Sequence, residues 1–253
     1  MCELLLIVAN RKVGIDLSWK ALQDRAKQNP DGWGAAWLDG GTFTSKRKPE
    51  KLPGGAKGMR LVTGITTSQF LAHVRYRVTG TVALQNTQPF ISPDNKYAFA
   101  ATMSQCKVLA RYKKSVRQYL KGRTGTEVLF QVFLNKYNRN IGNLNPLSGL
   151  IEEVFVESNL KKRASASFVL MSPAGIWAYR YRKSLYYLVR KPPHEAEVTL
   201  LSRKGYKTKL SSKKNSKDMV TLLASEKLTN ENWRLLPDKT LVEVTHKGAQ
   251  AGA

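Results

Sequence analysis

Acidic residues are scarce in this 253-residue chain: 18 Asp and Glu stand against 42 Lys and Arg, a formal charge of +24 at pH 7. Such an excess repels itself unless an anion meets it, which directs attention to polyanionic partners. Cysteine is equally sparse. Cys2 and Cys106 cannot build a disulfide framework, so a reducing, cytoplasmic setting is the expectation. The three histidines, His73, His194 and His246, are scattered. No Cys/His set has zinc-ligand spacing, and neither metal nor cofactor is expected. Long apolar runs are missing too. The opening MCELLLIVAN turns polar at once, too short for a membrane span and without the basic flank of a leader. What is present is a 42% hydrophobic content, which excludes a wholly disordered basic tail.

The pattern along the chain is mostly strands. Glu3 to Ala9 reads as a buried first strand, followed by a short helix over Ser18 to Lys27 with Ser18 or Asp16 as its cap. Asn29-Pro30-Asp31-Gly32 is a turn, Gly34 to Leu38 a strand, and Asp39-Gly40-Gly41 a hairpin turn. Further strands are expected at Phe70 to Tyr76, Tyr97 to Ala101, Ser165 to Met171, Ile176 to Arg182, Leu185 to Lys191, Val220 to Ala224 and Thr240 to Val244. Helices are expected at Val108 to Leu120, Thr124 to Tyr137 and Leu150 to Leu160, the second with a Thr124/Glu127 capping box. Helices clustered between strand groups make an α+β chain rather than a βαβ repeat. No linker forces a boundary, so residues 1–253 read as one domain with basic insertions near 46–60 and 200–218.

The positive charge is clustered. Lys46, Arg47, Lys48, Lys51, Lys57 and Arg60 crowd one insertion, with Glu50 the lone acid. Arg203, Lys204, Lys207, Lys209, Lys213, Lys214 and Lys217 crowd the other. Between them Lys107, Arg111, Lys113, Lys114, Arg117, Lys121 and Arg123 occupy a segment without an acid. At helical spacing that segment has an apolar arc, Val108, Leu109, Tyr112, Val116, Tyr119 and Leu120, opposite a cationic one. One such face is ordinary surface, but three clusters suit phosphate backbones, and no base-reading motif accompanies them. Anionic membrane fits less well, because the loops lack apolar anchors. Tyr179, Tyr181, Tyr186 and Tyr187 lie among basic residues and offer stacking faces, yet aromatics are ordinary strand formers that pack on a core.

Cys2 is the candidate nucleophile. With Met1 removed, its thiol and a free α-amine would share one residue, and the amine would serve as local base. The structural alternative is a small buried hydrophobe at the start of the first strand.

The segments around it carry a resemblance. MCELLLIVAN, NPDGWGAAW, FLAHVRYRVTG, QNTQPF, KYAFAATM, RTGTEVLF, SASFVLMSPAGIWAYRYRKSLYYLVR and LLASEKLTNENWRLLP follow one another over most of the chain. In that order they resemble the class II glutamine amidotransferases, N-terminal-nucleophile hydrolases, and most closely the short stand-alone branch. The resemblance implies a four-layer αββα sandwich of two mainly antiparallel sheets. It implies hydrolysis of the glutamine side-chain amide, with Cys2 where the nucleophile stands. Arg75 stands where an arginine clamps the substrate carboxylate, a contact suited to a guanidinium. His73, two residues earlier on the same strand face, reads as a packed histidine rather than a base.

Departures from the family pattern sit in the pocket. Where Phe-Ala-His-Asn-Gly is common at the oxyanion hole, this chain has Phe99, Ala100, Ala101, Thr102 and Met103. Thr102 lacks the amide donor, and Met103 puts bulk where glycine permits close approach. Gly125 replaces the acid of a Thr-Asp-Ser-Glu run that pairs with the substrate ammonium, and Glu3 adds an acid beside Cys2. Charge and departures together point to a non-catalytic amidotransferase-like protein. Its partners would be structured RNA, foremost ribosomal RNA, and neighbouring ribosomal proteins, in a cytoplasmic, ribosome-associated setting. The alternatives are an active glutaminase using Cys2 and a general nucleic-acid coat protein.

Overall fold

A computed structural model describes residues 2–104, 109–137, 145–157, 165–193, 197–201, 207–209 and 217–251. The chain opens with β1 (Glu3–Gly14), α1 (Asp16–Arg25), β2 (Trp33–Asp39), β3 (Thr42–Lys48), α2 (Gly55–Met59) and β4 (Thr66–Val74). Next come β5 (Phe90–Ile91), β6 (Ala98–Met103), α3 (Leu109–Lys113), α4 (Gly125–Tyr137) and α5 (Asn145–Ile151), the last running into a π-helical stretch over Glu152–Glu157. The remainder is β7 (Ala166–Ser172), β8 (Gly175–Tyr181), β9 (Tyr186–Arg190), β10 (Glu197–Thr199), β11 (Lys207–Lys209), β12 (Val220–Ala224), β13 (Arg234–Leu235), β14 (Thr240–Thr245) and β15 (Gly248–Ala251).

These strands form a seven-stranded sheet, β13-β9-β12-β1-β4-β2-β3, a six-stranded sheet, β15-β14-β8-β7-β6-β5, and the small pair β10-β11. The described strand pairs are antiparallel. Alternation of side chains along each strand sorts the core into three layers. Leu5, Ile7, Phe70 and Ala72 face α1, where the buried Trp19 sits edge-on to Trp33 and Phe70 at 6.1 Å. Leu4, Leu6, Val8 and Leu71 face the second sheet across Ala98, Ala100, Val169 and Ala178, small residues that let the sheets approach. On the far side Phe99, Phe168 and Tyr179 meet α4 and the π-helical stretch, with Phe99 stacked on Phe130 at 5.5 Å. The result is the expected helix–sheet–sheet–helix sandwich.

Several expectations shift. The amphipathic helix over Val108 to Leu120 is not one helix. α3 covers Leu109–Lys113, and after a turn a 3₁₀ segment covers Arg117–Tyr119. Val116 is buried and Tyr112 and Leu120 pack against the core, while Tyr119 is 51% exposed, so the described part of the apolar arc packs except at Tyr119. The insertion near 46–60 is mostly ordered structure: Lys46, Arg47 and Lys48 belong to β3, an edge strand, and α2 follows. Cations on an edge strand oppose pairing with another chain, which gives them a structural reason without a polyanion. Arg47 donates to the Thr87 carbonyl at 2.9 Å, and Lys48 pairs with Glu50 at 3.4 Å. Of the 200–218 cluster, Lys207 and Lys209 lie on β11, Lys217 is exposed, and the other basic residues fall outside the described residues, as does Lys107. Tyr179 and Tyr181 are buried core residues, and Tyr186 and Tyr187 pack partly against it, so the packing reading of these aromatics holds.

Candidate active site

Cys2 immediately precedes β1, and the pairing of Glu3 with Val74 sets it beside the residues that leave β4. Its thiol donates to the Tyr76 carbonyl and accepts from the Tyr76 N–H, both at 3.2 Å. Alternation sends Glu3 to the α1 side with Leu5 and Ile7, away from the thiol, so the expected acid beside the nucleophile is absent from that face. Burial pushes the Cys2 thiol up, and the Tyr76 N–H, Lys183 and Arg75 only partly offset this. The thiol is therefore mostly protonated at neutral pH and needs a base to become nucleophilic.

Arg75 continues the β2–β4 ladder, its N–H bonded to the Gly32 carbonyl at 2.7 Å. The side chain is only 4% exposed. Its guanidinium donates to the carbonyls of Thr79 (2.8 Å), Thr81 (3.0 Å) and Asp31 (3.4 Å), folding the following loop around itself. Five N–H bonds in a rigid fork leave donors beyond these three contacts. His73, one side-chain repeat earlier, is fully buried between the sheets, and neither ring nitrogen makes a well-formed hydrogen bond. Burial first, and then the Arg75 charge, lower its pKa to about 3, so it is a neutral packed ring and not a base.

Cys2 and Arg75 open onto a cavity of about 390 Å³ whose wall also includes Tyr76, Gln88, Met103, Lys113, Arg123 and Gly125. Gln88 was not singled out in the sequence. Its Oε1 accepts the Ala101 N–H at 2.6 Å, which fixes the amide orientation and leaves Nε2 on Thr126 Oγ1 at a long 3.4 Å. QNTQPF contains it, but its burial depends on Gly34. A Cβ at residue 34 would stand 2.3 Å from the Gln88 carbonyl, so glycine there lets this segment lie against β2.

The far wall is held by the start of α4. Thr124 Oγ1 accepts the Glu127 N–H at 3.3 Å, half of the expected capping box. The Glu127 carboxylate accepts the N–H groups of Lys121 (2.7 Å) and Gly122 (2.9 and 3.0 Å) rather than closing back on Thr124. Asn86 ties the two loops of the rim, donating to Thr81 and accepting from the Arg123 N–H. The Thr102 side chain is buried and shares a hydrogen bond with Ser167 at 2.8 Å, so its hydroxyl is engaged away from the cavity. Met103 and Gly125 both line the cavity, and so do Lys113 and Arg123 from the presumed phosphate-binding segment. Among the described residues no group of three His, Cys, Asp or Glu could hold a metal, and no helix is long and apolar enough to cross a membrane.

Comparison with known proteins agrees with this layout. The sequence profile of the class-II glutamine amidotransferases matches residues 1–252. The chain is 28% identical over 245 residues to the putative glutamine amidotransferase YafJ of Escherichia coli, covering 92% of this chain and 93% of that protein. It is 28% identical over 243 residues to an uncharacterised protein of Methanocaldococcus jannaschii, covering 92% of this chain and 66% of the other. This chain thus spans just under two thirds of that relative. A Pseudomonas aeruginosa crystal structure, described as a predicted glutamine amidotransferase, superposes with a TM-score of 0.67 at 22% identity over 99% of this chain and 100% of its own. Glutamine phosphoribosylpyrophosphate amidotransferase of Bacillus subtilis gives 0.63 at 13% identity, over 99% of this chain and 49% of its own. At those identities the two structures speak for the fold alone.

The matches correct the reading drawn from charge. A profile spanning nearly every residue belongs to a glutamine-binding family, not to ribosomal or RNA-binding proteins, and it overturns the expectation of a ribosome-associated, rRNA-binding subunit and of ribosomal partners. The physical reason is visible in the fold: net charge reports on solubility and long-range attraction, whereas the cationic residues here are divided among an edge strand, a cavity rim and the β11 hairpin. With that family's profile spanning residues 1–252, the chain belongs to the class-II glutamine amidotransferase family.

Proposed function

We propose that the cavity is an amide-hydrolysing site of the glutaminase type, with Cys2 as nucleophile. The observation that carries this is the placement of the Cys2 thiol in a cavity shared with Arg75, against the Tyr76 N–H. With Met1 removed, the α-amine of Cys2 takes the thiol proton, and the sulfur attacks the amide carbonyl carbon. The C–N bond breaks, the proton leaves with ammonia, and water hydrolyses the thioester to a carboxylic acid. Because burial keeps the thiol protonated, that local base is required.

The oxyanion is the weak point of the site. The Thr102 hydroxyl is engaged by Ser167, and the Ala101 N–H by Gln88. Gln88 Nε2, whose bond to Thr126 Oγ1 is a long 3.4 Å, is the side-chain amide donor on the cavity wall. Losing one oxyanion donor lowers turnover by roughly 10²–10³ in a well-studied protease, so slow hydrolysis is expected. The test is ammonia release from a panel of primary amides, glutamine included, with Cys2→Ala as control. Turnover that vanishes in Cys2→Ala supports the reading. Absence of turnover on the whole panel, or turnover independent of Cys2, overturns it.

A further inference from the structure

Free glutamine carries an ammonium beside its carboxylate, and among the described residues this cavity offers that ammonium no carboxylate. Gly125 stands on the wall where the family pattern has an acid. Among the described residues no Asp or Glu lines the cavity. Two carboxylates next in sequence to lining segments or hydrogen-bonded to their neighbours have backbone partners: Asp31 accepts the Arg77 N–H at 2.8 Å, and Glu127 accepts the N–H groups of Lys121 and Gly122. Outside the described residues the sequence contains a single acid, Glu195.

Cations take the acid's place. Arg75, Lys113 and Arg123 all line the cavity, and among the described residues neither Lys113 nor Arg123 has an ion-pair partner. Both are exposed at the rim, whereas Arg75 is buried at the base. A substrate ammonium among three cations would meet repulsion with no lining carboxylate among the described residues to offset it, and a like charge placed there disfavours binding. A carboxylate would meet the reverse, with charge-assisted bonds from guanidinium donors. The volume of about 390 Å³ lies in the range of drug-sized ligands, leaving room for a substituent on the substrate's α-nitrogen.

We propose that the site selects a primary amide that carries a carboxylate and no free ammonium, such as an N-acylated glutamine or a dicarboxylic acid monoamide, over glutamine itself. The proposal rests on the amide-hydrolase reading for its chemistry but concerns binding. It is therefore tested by binding to the Cys2→Ala variant, where turnover plays no part. Calorimetric titration with glutaramate, N-acetylglutamine and glutamine is expected to show at least tenfold tighter binding of the first two. Lys113→Ala and Arg123→Ala, at exposed positions, are expected to weaken glutaramate several-fold and leave glutamine unchanged or improved. Gly125→Asp, an acid in the first turn of a helix and so compatible with folding, is expected to narrow or invert the preference. Glutamine binding as tightly as glutaramate to the Cys2→Ala variant, or none of the three binding, overturns the proposal even if slow hydrolysis of some amide is found in the unmodified chain. Selective binding without hydrolysis upholds it and sinks the catalytic reading alone.

Discussion

Acidification should destabilise this fold through one buried imidazole. His73 lies between the sheets with no well-formed hydrogen bond, and burial together with Arg75 lowers its pKa from 6.5 to about 3. The folded ring therefore stays neutral while the unfolded one protonates. Below the unfolded value the unfolded state binds the extra proton, so stability is full above pH 6.5 and is lost as pH falls toward 3. The slope approaches about 1.4 kcal/mol per pH unit in that window, and moving from about pH 7.5 to about pH 5 costs about 2 kcal/mol. That is a large share of the ~5–15 kcal/mol by which domains are stable. Urea denaturation at both pH values, followed by the fluorescence of the buried Trp19 and Trp33, measures the loss. His73→Leu is the control, because other groups titrate in both proteins and cancel. The unmodified protein should lose about 2 kcal/mol more than His73→Leu over that interval. Equal losses would refute the reasoning.

Three other outcomes are expected. Arg190 holds Glu231 through two bonds of 2.8 and 2.5 Å with both side chains largely buried, so Arg190→Ala strands a carboxylate and should cost about 3–5 kcal/mol in a denaturant titration. Gly34→Ala drives a Cβ toward the Gln88 carbonyl and should destabilise by about 1–3 kcal/mol while lowering ligand affinity, read by thermal shift with and without glutaramate. Met103→Gly restores the close backbone approach of the family pattern at the cavity wall, and should raise Cys2-dependent ammonia release by at least tenfold, read as kcat in the same assay.

Much of the frame was legible because it rests on short-range pattern. The apolar run from Leu4 to Ala9, the strand-forming residues of Ser165 to Met171 and the cap at Thr124 are local rules, and β1, β7 and α4 form where those rules place them. The edge strand β3 escaped notice because its residues from Lys46 on are cationic, and an edge strand needs no apolar alternation on its open side. Helical spacing misled at Val108 to Leu120, where a turn before Val116 interrupts what periodicity alone reads as continuous.

The site divides the same way. Cys2, Arg75, Thr102, Met103 and Gly125 could be named from motif order, since each belongs to a contiguous segment. Their roles could not. Whether the Thr102 hydroxyl faces a ligand or Ser167, whether Glu3 stands beside the thiol or on the opposite face, and whether Gln88 reaches the cavity all depend on strand register and sheet packing. Charge is the plainest case. Sequence counts 24 surplus positive charges but cannot say where they point, because attraction depends on distance, and distance between residues such as Arg75, Lys113 and Arg123 is set only when the chain has folded.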